Sequence, residues 1–141
     1  MPAIQRKRSV RIGGVSRVVN KLDKVETAMK RATIRALEEG GKLVQADAKR
    51  NVRVDTGELR DNIIVKTFGK DVNKQFVRVI ADRPYGHLVE FGTDPHEQPK
   101  LGRPHPGARE NPFLFPALEA NREKIVRLAR VALRRAIVRS I

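Results

Sequence analysis

A single carboxylate interrupts the apolar, glycine-containing segment Tyr85–Thr93, YGHLVEFGT: Glu90, set between Val89 and Phe91. A glutamate so placed can serve as a general acid or base, or it can accept hydrogen bonds and hold a neighbouring stretch of chain. Acid–base chemistry needs a second acid at a defined spacing, or a nucleophile with its base, and neither ALEEGG nor LVEFGT supplies one. Glu90 is therefore expected to anchor its segment, with an arginine or backbone amides as partner. Arg60 is the candidate arginine.

Other reactive residue types are sparse. His87, His96 and His105 recur at intervals of nine residues, too far apart for loop ligands without cysteine or carboxylate beside them, so no metal site is expected. Cysteine is absent, which removes disulfides, thiolate nucleophiles and zinc knuckles. Neither FGK at Phe68–Lys70 nor the pair Gly13-Gly14 carries the glycine, lysine and hydroxyl pattern of a phosphate-cradling loop. The expectation is a protein with no catalytic residue and no cofactor.

Charge is the stronger signal. Thirty Lys and Arg against sixteen Asp and Glu give a formal charge of +14 and a pI near 11.1, a balance that attracts polyanions or acidic protein surfaces. Projected at 100° per residue, the last segment places Leu118, Ile125, Leu128, Ala129, Ala132, Ala136 and Ile137 on one side, with Arg127, Arg130 and Arg134 opposite. That stripe, with Arg6 and Arg8 near the start, is a candidate subunit interface or DNA-facing lumen. No stacking aromatics accompany it, as sequence-tolerant single-strand binding would require.

The elements that must position these residues follow from pattern. Residues 1–14 read as a basic arm closed by Gly13-Gly14, and 15–141 as one domain. Apolar or small residues at Val18, Leu22, Val25, Met29, Ala32, Ala36, Leu43 and Ala46 predict a long helix from Val15 to about Val52. Gly40-Gly41 should bend it or admit a close backbone. Asp55 and Glu58 have the spacing of a capping box. IIVKTF (Ile63–Phe68) and KQFVRVIAD (Lys74–Asp82) predict a hairpin, and Tyr85–Phe91 a short helix or bent strand.

From Thr93 to Asn111 the breakers Pro95, Pro99, Pro104, Pro106, Gly102 and Gly107 predict an extended loop without regular structure, an arm that folds against another subunit. Continuous helix should resume at about Pro116. With five Phe and one Tyr the core should be thin and aliphatic, so partner chains are expected to contribute stability. No secretory segment and no membrane-spanning run is expected, which points to a soluble chain made and assembled in the cytoplasm.

Three blocks in order, DTGELRDNI (Asp55–Ile63), YGHLVEFGT and NPFLFPALEANREKI (Asn111–Ile125), resemble the gene-product-ten-like family of small neck and tail-component proteins of tailed bacteriophages, over about residues 15 to 140. The resemblance implies an α+β fold, a long N-terminal helix and a C-terminal amphipathic helix packed on a small antiparallel sheet. It implies a structural virion protein, a ring at the head–tail junction (neck, tail completion or terminator) assembled in the host bacterial cytoplasm. A hexamer is favoured and a dodecamer is the alternative; neighbouring connector and tail proteins would be partners, with non-specific contact to passing DNA and none to a membrane. Matching the family pattern, Thr56, Gly57, Arg60, Tyr85, Glu90, Gly92, Pro112, Phe113 and Pro116 become structural anchors. The competing function is a basic nucleic-acid-binding protein or a nuclease.

Overall fold

The computed structural model describes residues 13–141. Helix α1 (Val15–Asn51) runs for 37 residues, about 55 Å at 1.5 Å per residue. A one-turn helix α2 (Glu58–Asp61) leads into strands β1 (Ile63–Phe68) and β2 (Phe76–Ala81), which pair antiparallel from Ile63↔Ala81 to Phe68↔Phe76. Then come α3 (Gly86–Phe91), a small hairpin of β3 (His96–Gln98) and β4 (Arg103–His105), and α4 (Leu114–Ser140). The fold is α+β, two long helices with a small antiparallel sheet, in the expected order.

Helices α1 and α4 are antiparallel. Asn121 Nδ2 donates to Asp47 near one end, and Lys21 Nζ donates to the carbonyl of Ile141, at 3.2 Å, near the other. The first turns of α1 therefore run on past the end of α4. Val44 and Ala48 of α1, with Val52 just past its end, meet Leu59, Ile63, Phe113 and Ala117 in the buried core, where Phe113 is the one aromatic ring among the described residues. Asn121, also buried, donates to Ala117 O at 2.8 Å as well, so the polar group in this core is satisfied.

Helix α1 runs without interruption through Gly40-Gly41. Adjacent helical residues point about 100° apart, and the two glycines use that angle to open two faces. A Cβ on Gly40 would lie 2.8 Å from Ile125 Cγ1 of α4, and one on Gly41 would lie 2.9 Å from Val65 Cγ1 of β1. Side chains, not a backbone, make the close approach. Alanine at either position gains about 1 kcal/mol of helix propensity but overpacks the seam at a cost of about 1–3 kcal/mol. Gly40→Ala and Gly41→Ala are each expected to lose about 1 kcal/mol in urea unfolding; a gain in stability would show that Ile125 and Val65 move aside freely.

Three local expectations need correction. Asp55 is not a helix cap: the N-cap of α2 is Gly57, at φ 83°, which makes Glu58 its first residue instead of its third. The extended loop is not without structure: β3 and β4 pair through His96↔His105, Glu97↔Pro104 and Gln98↔Arg103, and the isolated bridge Thr93↔Ala108 closes the base. Proline is tolerated there because each strand has an open edge. Lastly, α4 begins at Leu114, so Pro116 is its third residue.

Candidate functional site

The three sequence blocks converge where α3 meets the start of α4. An α-helix begins with four backbone N–H groups that have no partner within the helix. In α4 these belong to Phe113, Leu114, Phe115 and residue 116. Glu90 Oε2 accepts from Phe113 N at 2.8 Å and from Leu114 N at 3.0 Å, and Oε1 accepts from Phe115 N at 3.0 Å. The fourth residue is Pro116, which has no N–H. All four positions are accounted for by one buried carboxylate and one proline.

This gives the carboxylate a full set of charge-assisted bonds at the positive end of a 27-residue helix. Glu90 is only 6% exposed. Arg60, the candidate partner, does not reach it: its Nε lies 2.9 Å from Asp61 Oδ1. That hydrogen bond holds the Asp61 carboxyl below the usual carboxylate range.

Behind Glu90 the chain is fixed at Gly92 and Thr93. Gly92 has φ 73° and ψ −176°, and a Cβ there would lie 2.7 Å from both Ala108 O and Glu110 N. Thr93 N donates to Ala108 O at 2.8 Å, Ala108 N donates back to Thr93 O at 3.0 Å, and Thr93 Oγ1 accepts from the same amide at 2.8 Å. Asn111 N then donates to Val89 O at 2.9 Å. Pro112 is exposed, while the Phe113 ring beside it is fully buried.

In front of Glu90, the turn around Thr56 and Gly57 is tied to the start of α3. Thr56 Oγ1 accepts from Glu58 N at 3.3 Å. The Glu58 carboxylate lies 3.0 Å from Arg83 Nε, an ion pair by distance although that N–H is not aimed for a hydrogen bond. Tyr85 OH reaches Glu58 Oε2 at 3.4 Å, and burial together with the Glu58 charge raises the Tyr85 hydroxyl above its ordinary pKa. The pairing of Glu58 with Arg83 and Tyr85 had no sequence signal, because these partners lie far from it along the chain.

The cations divide into separate surfaces. Arg127 and Arg130 line a shallow recess with Arg122, Glu123 and Val126, and Arg134 is exposed on the same helix. Arg135 and Arg139 turn instead toward α1, where they share a groove with Arg31, Arg35 and one acidic residue, Glu39, among alanines, Leu128 and Val131. The i, i+4 spacing of both arginine pairs was the available signal for that groove. Arg6 and Arg8 lie outside the described residues. His96 and His105 stack at 5.0 Å between ring centroids, and among the described residues no three metal-ligating side chains gather.

One further surface is apolar. A groove of about 640 Å³ runs between β2, α3 and the start of α4, lined by Val77, Val79, Ile80, Phe91, Phe115 and Leu118. Among the described residues lining it, only His87 and Glu90 are ionisable, and both oxygens of Glu90 are already engaged. Among the described residues no helix is long and apolar enough to cross a membrane.

A family model described as "Bacteriophage HK97-gp10, putative tail-component" matches residues 16–92. Neither the curated proteins nor the solved structures contain a match. The matched span takes in α1, the β1–β2 hairpin, α3 and Gly92, and thus the Glu90 anchor but not the helix it caps.

Proposed function

We propose, from the premise that the chain belongs to the HK97-gp10-like family of bacteriophage tail components, that it is a ring subunit at the junction of head and tail. A structural role in the phage tail comes with the family. The finer reading is a neck, tail-completion or terminator ring, hexameric with a dodecamer as alternative, that joins the capsid connector to the tail within the virion. Its subunits assemble in the host cytoplasm and have no catalytic task. The observation that carries this reading is the family match; the use of Glu90 supports it, since a carboxylate committed to three backbone amides is not free to move a proton.

The domain 15–141 supplies the body of the subunit, and the arm 93–111 projects from it for contact with a neighbour. Light scattering on the purified protein with electron microscopy tests the reading directly. A closed ring is the expected result, and a monomer at high concentration would overturn it.

A second reading, a nucleic-acid-binding protein, is favoured by one observation: Arg31, Arg35, Arg135 and Arg139 line a single groove, with Glu39 as its one acidic residue. Counterion release would then make DNA affinity fall steeply with salt. A monomer with such a salt slope is its signature, whereas a ring with weak, sequence-indifferent DNA contact belongs to the first reading.

The stripe Arg127, Arg130 and Arg134 is assigned to acidic neighbouring proteins or to passing DNA, where it reads no sequence because phosphate contacts carry no sequence information directly. Reversing all three to Glu should block the joining of heads to tails in a complementation assay while leaving the circular dichroism spectrum unchanged. Normal particles from the triple variant would remove the stripe from the interface.

A further inference from the structure

Among the described residues, two apolar surfaces are left without a partner, and they sit about 40 Å apart along α1. The first is the groove beside β2, whose rim carries Phe91 at 77%, Phe115 at 64% and Leu118 at 46% exposure. The second is the start of α1, where Val15, Val18, Val19 and Leu22 are between 48% and 62% exposed. Those four positions have the spacing i, i+3, i+4, i+7, the anchor pattern of a helix that lies in an apolar groove. They continue the stripe by which α1 packs on α4 to the level where Lys21 meets the end of α4 and beyond it.

We propose that the first two turns of α1 from one subunit dock in the β2–α3–α4 groove of the next, and that this head-to-tail contact closes the ring. It rests on the ring reading above. A subunit cannot fill its own groove, because Val15 and Gly41, which lines it, are about 40 Å apart along one uninterrupted helix. A contact between two different patches is heterologous, and such contacts generate rings when the rotation closes. The occupant is apolar because the lining is apolar apart from His87 and Glu90, and both oxygens of Glu90 are engaged. Stable interfaces bury about 800 Å² on each partner, more than two helical turns supply. A lone pair of subunits is therefore weakly held, and a closed ring, in which each copy is held at both surfaces, is the stable form.

The chain has no cysteine, so paired cysteines report the contact without background. A mixture of Leu22→Cys and Phe115→Cys proteins should form a disulfide-linked heterodimer under mild oxidation, and Leu22→Cys alone should form none. In a second arm, Val18→Asp with Leu22→Asp removes the anchor, and Phe115→Asp spoils the groove. Each variant should be a folded monomer, while a mixture of the two should associate weakly and only as far as a one-to-one pair, populated at high concentration, since one intact contact remains. If the parent forms rings and both variants form them equally well, this contact is wrong and the ring reading stands. A parent that stays monomeric overturns both. Crosslinking of Leu22→Cys to itself would show a two-fold contact in place of the head-to-tail one.

Discussion

Glu90→Ala lowers the unfolding free energy by about 3 kcal/mol. Three backbone donors lose their acceptor at once, and a buried donor left unpaired costs about 1–3 kcal/mol. The full sum is not reached, because the amides of Leu114 and Phe115 are only part-buried and water replaces some of the loss. Loss of negative charge at the start of α4 adds to the cost. Glu90→Gln separates geometry from charge: one amide oxygen can still accept from Phe113 and Leu114, but the NH2 group then faces the N–H of Phe115. About 1–2 kcal/mol is expected for Gln. Urea unfolding followed by circular dichroism measures both; an Ala variant as stable as the Gln variant would show that the bonds to Phe113 and Leu114 contribute nothing.

Gly92→Ala is expected to be at least as damaging, at about 3 kcal/mol. The combination φ 73° and ψ −176° belongs to a region populated essentially by glycine, and forcing another residue into it costs about 1–3 kcal/mol. The new Cβ would also meet two backbone atoms at 2.7 Å, and backbone cannot rotate away as a side chain can. Relief requires the bridge Thr93↔Ala108 to open. The variant should therefore melt at a lower temperature, and its arm should be cut faster by protease than the parent's. Equal cleavage rates would place the strain elsewhere.

The two effects explain how much of this region could be read from sequence. The helical period of α1 and the β-branched runs Ile63–Phe68 and Lys74–Asp82 are local patterns, and the elements formed within them, the second strand trimmed to Phe76–Ala81. That Glu90 should hold something was also legible, since a lone carboxylate among apolar residues needs a partner. Its partner was not, because amides more than twenty residues away carry no side-chain signature; Arg60 was the visible cation but lies closer to Asp61. Counting prolines hid β3 and β4, whose pairing needs few amides and leaves Pro104 on an open edge. Gly57 displaced the start of α2 because a left-handed residue, not the Asp55 side chain, sets where the turn begins.

The overrun of α1 past the end of α4 gives one helix two different levels of protection. Amide hydrogens around Ala36 to Ala48 sit under the buried seam and should exchange with solvent deuterium only when the whole subunit unfolds. Those of the first two turns, whose side chains are exposed, need only local fraying. Exchange along α1 should thus slow by orders of magnitude from its first turn to its middle, although the helix is unbroken. In an assembled particle the slow zone extends to the first turn if a neighbour covers it, so a deuterium-uptake map of free and assembled subunits records, residue by residue, which stretch of this helix gains its order from another chain.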